Sequence, residues 1–325
     1  MVPAFLTGYN LVTTVQGAWK TALQPLLRIL SPLLTLRLVC LGSPLTDLCH
    51  LGFAPALAPG LRKQVTGRLL QALERFAASQ AIGLLAAKDL ADAHLGPGLA
   101  EAFGQAGYSR QPSLPNAVLA LPHTDEEAYL KSLSQGTRRE VRRKQKRAGT
   151  VRVELRRGSA AFGIVPELLR LYDRQRSRSG VDFDQFETLT ESYFRNVLAA
   201  QSMTAIVFLY TQEDALVAFN LCYHTDRLFI DKFVGFHDRG ASKLDLYILS
   251  WMTNVRYCLE HGIGSLQTGQ TGYTMKRRMG SVLEPTWIFF RHRNRLVNFI
   301  LRLAAPLLAP DRYDETIAPP RAATR

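Results

Sequence analysis

The sequence predicts an α/β (α+β) fold made of two mixed-sheet units with flanking helices. Its 325 residues are enough for about two domains of ordinary size. Short apolar stretches that suit strands alternate with stretches whose apolar residues recur every three or four positions, as in helices. One order of elements (strand, helix, helix, strands, helix, strand) occurs in both halves without residue identity. Hydrophobic and charged contents of 47% and 21% exclude wholesale disorder, a collagen-like repeat and a coiled coil.

The first half begins, after an N-terminal segment without a clear pattern, with a strand that Gly42 ends. In the helix that follows, Leu61, Val65 and Leu69 are spaced to share one face. Further apolar runs predict a strand, a short helix and another strand. The predicted ranges are 36–41 (strand), 61–76 (helix), 82–86 (strand), 99–106 (helix) and 116–121 (strand).

A helix start is predicted where the two halves meet. Thr124 and Glu127 have the spacing of a capping box, in which a hydroxyl and a carboxylate satisfy free backbone donors. The helix is expected to run from there into a cluster of basic residues and to stop near Gly149.

The second half repeats the alternation and adds a three-stranded meander. Its long apolar helix, and the apolar helix predicted at 296–308, either pack in the core or line a tunnel for a fatty acyl chain. The predicted strands are 151–155, 204–210, 215–223, 228–235, 266–268 and 287–290, and the predicted helices are 164–175, 189–198 and 244–259.

The charge of the chain is concentrated in one place. There are 40 Lys and Arg against 27 Asp and Glu, a net +13, which calls for an anionic partner. The segment 138–157 holds ten basic and two acidic residues, a net +8. In a helix, Arg138, Arg139, Arg142 and Arg143 share one side and would clamp a phosphate or a carboxylate, or follow a nucleic-acid backbone. The alternative is a solvated charged face.

Asp231 and Lys232 are charged residues inside a predicted strand. Period two places Asp231 beside Phe229 and Phe233, so that at least one of the two charges points among apolar residues. Burying such a charge is costly unless it is paired. The residues therefore form either a structural pair or a site with a shifted pKa.

Two loops are further candidates. The segment Gly235–Lys243 joins a strand to a long helix, and its glycines and the helix start offer N–H groups to a phosphate, or form a plain turn with Ser242 as N-cap. The segment Gln267–Gly280 is either a surface loop or a cleft wall with a phenol and an ammonium, those of Tyr273 and Lys276.

These segments together resemble a known family. The helix Tyr129–Arg143 with its paired arginines, the Arg/Gly segment near Gly180, the meander and the segment Gly272–Gly280 are similar in order and spacing to the FemAB-like branch of the GNAT acyltransferase superfamily. The resemblance covers about 125–285, and it implies a tandem GNAT-like fold. The implied division is a degenerate N-terminal unit (1–122), a basic connecting helix and strand (123–158), and an acyltransferase unit with a C-terminal helix (159–325).

The resemblance implies transfer of an acyl group to an amine from acyl-CoA or acyl carrier protein, or in Fem proteins from aminoacyl-tRNA. The superfamily's phosphate-binding turn falls on Gly235–Lys243, with Gly235, Arg239, Gly240, Ser242 and Lys243 as the donor-binding residues. Tyr273 and Lys276 fall on the Tyr/Lys motif of the branch.

The chemistry assigns roles to these residues. An amine with a pKa near 10.4 must lose a proton before it attacks a thioester. Asp231 is the preferred general base, Tyr273 would protonate the departing thiolate, and Lys276 or the basic helix would hold a phosphate or carboxylate.

No metal is needed, and no cofactor is expected to stay bound; acyl-CoA or acyl carrier protein is a co-substrate. Gln267 and Gln270 are candidate substrate-binding residues.

Two other interpretations stay open. One is an aminoacyl-tRNA-dependent transferase, favoured by the +8 segment. The other is a non-enzymatic protein that binds RNA or an anionic membrane, favoured by Arg291, Arg293, Arg295 and Arg302 in and before the C-terminal helix.

Cysteine usage predicts a cytoplasmic protein. Cys40, Cys49, Cys222 and Cys258 are scattered among apolar neighbours without a pattern that binds zinc, and we expect reduced core thiols. No secretory signal is expected, because the first charge after the N-terminus is Lys20 and polar residues between Asn10 and Gln16 interrupt the apolar character. No spanning helix is expected, because charges and prolines interrupt the Leu-rich stretch 22–41.

Overall fold

The computed structural model describes residues 1–10, 35–178, 189–200, 204–237, 243–307 and 317. They form two compact units, one of Met1–Asn116 with Glu284–Arg325 and one of Ala117–Leu283. These bounds differ from the three predicted segments 1–122, 123–158 and 159–325, because the last strand and helix of the chain group with the N-terminal residues. The predicted α/β class, with two mixed sheets and flanking helices, is confirmed.

The elements follow one another along the chain in the predicted alternation. The first half contains β1 (Ala4–Asn10), β2 (Thr35–Leu41), α1 (Pro59–Ser79), β3 (Leu84–Ala91), α2 (Asp92–Gln105) and β4 (Ser109–Pro112). Next come β5 (Asn116–Ala120), α3 (Glu126–Ser132), α4 (Gln135–Arg147), β6 (Arg152–Arg157), a 3-10 turn (Gly158–Ile164), α5 (Val165–Arg178) and α6 (Glu191–Ala200). The rest contains β7 (Ala205–Gln212), β8 (Ala215–His224), β9 (Leu228–Phe236), α7 (Lys243–Glu260), β10 (Ser265–Gly269), α8 (Tyr273–Arg278), β11 (Val282–Glu284), β12 (Thr286–His292) and α9 (Arg295–Ala304).

Two strands lie in a different sheet from the one that the order of elements suggests. The five-stranded sheet has the order β1-β2-β3-β12-β4, and the seven-stranded sheet has the order β11-β5-β10-β9-β8-β7-β6. Strand β12, predicted to close the second unit, therefore pairs with β3 and β4. Strand β5, predicted in the first unit, pairs with β10. Apolar alternation identifies a strand but does not specify its partner, and this part of the prediction was wrong.

Each unit has its own core. In the N-terminal unit, the buried face of α1 packs with β2, β3 and α2, and the Phe289 ring of β12 stacks on Phe103 with 4.4 Å between centroids. In the C-terminal unit, α7 is buried along most of its length because its apolar residues surround the helix. Its residues Trp251, Met252 and Val255 pack against the meander strands.

The predicted capping box is wrong by one residue. Asp125, rather than Thr124, caps α3, and its carboxylate accepts a hydrogen bond of 2.8 Å from the Ala128 amide. The helix also does not run on into the basic cluster, because it ends at Leu133 and a new helix, α4, starts with Ser134 as its N-cap. Glu127 contacts Arg142 instead of its own helix start. The basic cluster is thus a separate helix.

The four cysteines are free and buried, as predicted. Of the described helices, none combines the length and the apolar character that crossing a membrane requires.

Candidate functional site

Asp231 lies on β9 beneath the buried helix α7. A bulge between β8 and β9 pairs Leu221 with Phe233 and Cys222 with Asp231. The extra residue reverses the alternation: Phe229 packs against Tyr257 of α7, whereas Phe233 contacts Tyr172 and other aromatic rings on α5 and α6. Asp231 therefore shares its face with Phe229 but not with Phe233, and the simple period-two expectation was wrong for this position.

A buried amide holds the Asp231 carboxylate. The Nδ2 group of Asn254, a fully buried residue of α7, donates to Asp231 Oδ2 over 3.1 Å. Its Oδ1 atom accepts from Asn220 Nδ2 over 3.2 Å. Burial first, and the Asp231 charge second, raise the pKa of the Cys222 thiol and of the Tyr247 hydroxyl. Asp231 therefore lies in a poorly solvated environment, in which its negative charge raises the pKa of the neighbouring thiol and hydroxyl.

Strands β9 and β10 diverge next to Asp231. These parallel strands are in register for only three residues, from Leu228 opposite Ser265 to Ile230 opposite Gln267, although β9 continues to Phe236. Among the described residues, no strand lies on the β10 side of the stretch 233–236. A half-buried carboxylate therefore stands where the sheet opens, and the backbone edge of 233–236, which no described strand pairs with on this side, can pair with an extended ligand.

The predicted donor-binding loop is described only at its two ends. Gly235 has a packing reason: a Cβ there would lie 2.5 Å from Phe219 Cε1 and 2.9 Å from the Leu171 backbone carbon. Only glycine lets β9 approach α5 this closely. Lys243 begins α7, whereas Arg239, Gly240 and Ser242 lie outside the described residues, as does the segment near Gly180.

The segment after β10 is an ordered anchor rather than a surface loop. The chain turns through left-handed conformations at Gly269, Thr271 and Gly272 and then forms α8. The buried Lys276 ammonium donates to the carbonyl oxygens of Thr268, Gly269 and Gln270, the last two over 3.1 and 3.0 Å. This geometry gives Lys276 a positioning role at the end of β10. Its catalytic role stays a prediction.

Tyr273 is buried at the start of α8, and a hydrogen bond from Tyr129 holds the other end of that helix. The Tyr129 hydroxyl donates to the Met279 carbonyl over 2.8 Å and accepts from Trp251 Nε1 over 3.0 Å. Burial raises the pKa of Tyr129, so this hydroxyl stays protonated as a structural donor.

Gln267, a predicted substrate-binding residue, follows Leu266 in β10. Leu266 packs in the core with α7, so the alternation of the strand places the Gln267 side chain on the opposite face from Asp231.

The basic helix α4 is only partly neutralised. Its apolar face buries Val141 against α7, and the buried Lys144 lies 3.5 Å from Glu140. Arg142 pairs with Glu127 at 2.7 Å, and Arg278 of α8 pairs with Glu140. Among the described residues no acidic partner is found for the exposed Arg139 and Arg143, which lie one helical turn apart. Arg138 donates to the Lys131 carbonyl over 3.5 Å, so that among the described residues only Arg142 of the four predicted arginines has an acidic partner.

A shallow groove of about 430 Å³ lies between the start of α4 and the end of α8. The first turn of α4 and the side chains of Arg277 and Arg278 meet here, and the guanidinium of Arg278 is paired with Glu140. The groove is lined by Ser132, Leu133, Ser134, Gly136, Thr137, Arg277, Arg278 and Gly280. The segment Gln267–Gly280 thus does form a wall, but with its arginines rather than with Tyr273 and Lys276.

Sequence reasoning missed Asn220 and Asn254. Both lie in apolar stretches where an amide has no obvious partner, and only the pairing of β8 with β9 under α7 brings them to Asp231. A buried asparagine among apolar residues was the available signal, because such groups are hydrogen-bonded in folded proteins.

Comparison with known proteins identifies the fold. Residues 135–277, from the start of α4 into α8, match the family model described as Acetyltransferase (GNAT) domain. The predicted resemblance to GNAT acyltransferases is confirmed over this segment, which contains Asp231, Asn254 and Lys276. No curated protein matches the chain.

Three solved structures are similar along most of the chain. FemX covers 93% of this chain and 90% of its own, with a TM-score of 0.55 and 14% identity. L-PGS from Bacillus licheniformis covers 84% and 82%, with a TM-score of 0.53 and 12% identity. The C-terminal domain (DUF2156) of a putative lysylphosphatidylglycerol synthetase from Agrobacterium fabrum covers 84% and 82%, with a TM-score of 0.52 and 15% identity. At these identities the similarity concerns the fold alone.

Proposed function

We propose that this protein is an N-acyltransferase of the FemAB-like branch, which moves an acyl group from acyl-CoA or acyl carrier protein to an amine of an amino acid, a peptide or a related small molecule. The observation that carries the proposal is the position of Asp231. Its carboxylate is held by Asn254 at the point where β9 and β10 diverge, inside the segment that matches a GNAT domain.

The proposed reaction needs a base and a cleft. Asp231 takes a proton from the acceptor ammonium, and the free amine attacks the thioester carbonyl. A C–N bond forms and the C–S bond breaks; we assign to Tyr273 the proton that the leaving thiolate takes, and Tyr273 regains a proton from the nitrogen of the attacking amine, which becomes the amide nitrogen. No metal and no permanently bound cofactor take part in this scheme, and most of the rate enhancement comes from positioning.

The open edge of β9 supports a thioester donor. The pantetheine arm of CoA and of acyl carrier protein carries two amides, which can pair with the backbone of 233–236 as an added strand does. The loop that is predicted to hold phosphate follows β9 directly in sequence.

A second candidate is an aminoacyl-tRNA-dependent transferase. It is favoured by the free cations Arg139 and Arg143 on α4, which suit a polyanion. FemX and a putative lysylphosphatidylglycerol synthetase, both similar in fold, also favour an aminoacyl donor. The two candidates share the base and the cleft and differ only in the donor.

A donor screen tests the proposal. The full-length protein is incubated with acyl-CoAs of several chain lengths and a pool of amines, and free thiol is measured. We expect amine-dependent thiol release that falls at least a hundredfold in Asp231→Asn. Asp226→Asn, an exposed aspartate in the turn before β9, is the matched control and keeps the wild-type rate.

Three outcomes would contradict parts of the proposal. Normal turnover of Asp231→Asn would reject Asp231 as the base. No thiol release with any donor, together with amino-acid transfer from charged tRNA, would replace the thioester donor with the second candidate. Tight, steeply salt-dependent tRNA binding without transfer would reject both enzymatic functions.

A further inference from the structure

Helix α9 has apolar residues on two faces. Asn294 caps the helix by accepting hydrogen bonds from the amides of Leu296 and Val297 at 2.9 and 3.2 Å. Towards the N-terminal sheet, the helix contributes Leu301, which packs against the buried cluster that contains Leu38 and Leu84. This inner contact already accounts for the folding of the helix onto its unit.

The second face is exposed and continuous. It consists of Leu296, Phe299, Ile300 and Leu303, which are between 54% and 68% exposed. Their spacing of i, i+3, i+4 and i+7 aligns them in one stripe along the helix. Other large exposed apolar side chains of the described residues do not form a group of four on one element. A contiguous apolar patch of this kind marks an interaction site.

The charges around the stripe are all positive. The segment 291–304 contains four arginines and no acidic residue. Arg291 pairs with Glu74, whereas for Arg293, Arg295 and Arg302 the described part of the chain provides no acidic partner. Arg295 and Arg302 are seven residues apart and therefore flank the stripe on the same side.

We propose that α9 lies on the surface of an anionic lipid bilayer. The stripe enters the boundary of the acyl chains, and the flanking arginines meet the lipid phosphates. The helix is about 15 Å long, so it lies along the surface rather than across the bilayer. The stripe is entirely apolar and the cations stand at its edge, which matches the layered order of acyl chains beneath phosphates.

A second copy of this chain fits the surface less well. Two identical stripes in contact would bring Arg295 and Arg302 of one helix close to those of the other, without a carboxylate from this segment to neutralise them. Anionic lipid supplies that neutralisation, and each cation near such a surface favours binding about fivefold.

Co-sedimentation of the full chain with vesicles tests the proposal. The vesicles consist of phosphatidylcholine alone or mixed with an equal amount of phosphatidylglycerol. We expect binding to the mixed vesicles, weakened by salt, and little binding to phosphatidylcholine. Arg295→Gln with Arg302→Gln should lower the partition coefficient about 25-fold. Phe299→Gln with Leu303→Gln should lower it about a hundredfold.

The control is Val282→Gln, which removes an equally exposed apolar side chain outside α9 and should not change binding. Unchanged binding of both double variants would overturn the proposal, as would equal binding to the two kinds of vesicle. A concentration-dependent dimer that Phe299→Gln dissociates would assign the stripe to a second copy. A large fall in the thermal midpoint of Phe299→Gln with Leu303→Gln would mean that the chain itself covers the stripe, which also overturns the proposal.

Discussion

Asn254 connects three side chains that come from three elements. It receives one hydrogen bond from β8, donates another to β9, and is itself fixed by the packing of α7. An amide in this place keeps the Asp231 carboxylate in one orientation without neutralising it, since no cation is introduced. A base that must accept a proton near neutral pH benefits from such a neutral partner.

We expect Asn254→Leu to lower both stability and turnover. The leucine has a similar volume but leaves the Asn220 amide and the Asp231 carboxylate without the hydrogen bonds that Asn254 makes. Urea unfolding should show a loss of about 1–3 kcal/mol. Turnover measured well below the unfolding midpoint should fall at least tenfold. Ser250→Ala is the control, because the Ser250 hydroxyl bonds only the Tyr247 carbonyl of its own helix. If Ser250→Ala lowered stability and turnover as much as Asn254→Leu, the losses would not be specific to the hydrogen bonds of the Asn254 amide.

At the scale of elements, the β10–α8 segment depends on Lys276. Three carbonyl oxygens at the end of β10 point to one ammonium, and α8 carries that ammonium back to them. Lys276→Met removes the donor and leaves buried acceptors. We expect a loss of about 3 kcal/mol in urea unfolding, together with a loss of turnover. Arg277→Met, an exposed neighbour in α8, should leave stability unchanged. A stable but inactive Lys276→Met would instead support a purely catalytic lysine.

The attachment of α4 to α8 predicts a dependence of stability on pH. The hydrogen bond from Arg278 is the main cause that holds the pKa of Glu140 below its usual 4.5. A carboxyl with a lowered folded pKa stabilises the protein above 4.5 and loses this contribution as the pH falls through its folded pKa. Thermal midpoints measured from pH 6 to pH 3 should therefore fall less in Glu140→Gln than in the wild type. Parallel curves would show that the pair contributes nothing.

Sequence patterns predicted elements better than their connections. The alternation in 228–235 and the helical spacing in 244–259 both correspond to observed elements, because each pattern reports local burial. The bulge beside Asp231 and the break at Leu133 depend on tertiary packing and on one cap, which no periodicity records. Asp231 was therefore predicted as a site residue for partly wrong reasons, and Asn254, which holds it, was not predicted.

At the scale of the whole molecule, the five-stranded sheet takes its fifth strand from near the end of the chain. Strand β12 lies between β3 and β4 although it follows the complete seven-stranded sheet in sequence, whereas β5 pairs with the distant β10 but is simply the first strand of its own sheet along the chain. Such pairings join residues far apart along the chain, and their closure entropy favours slow folding. The N-terminal unit is therefore incomplete until β12 and α9 have been added, whereas the C-terminal unit consists of the continuous residues Ala117–Leu283.

Two matched variants test whether the cores are energetically separate. Phe289 of β12 and Phe229 of β9 are both buried, the first in the core of the five-stranded sheet and the second in that of the seven-stranded sheet. Each substitution to alanine removes the same ring and should cost about 3–5 kcal/mol. With separate cores, Phe289→Ala should accelerate hydrogen exchange mostly in β2 and β3, and Phe229→Ala mostly in β7 and β8. If both variants accelerated exchange equally in both sheets, the two cores would not be energetically separate.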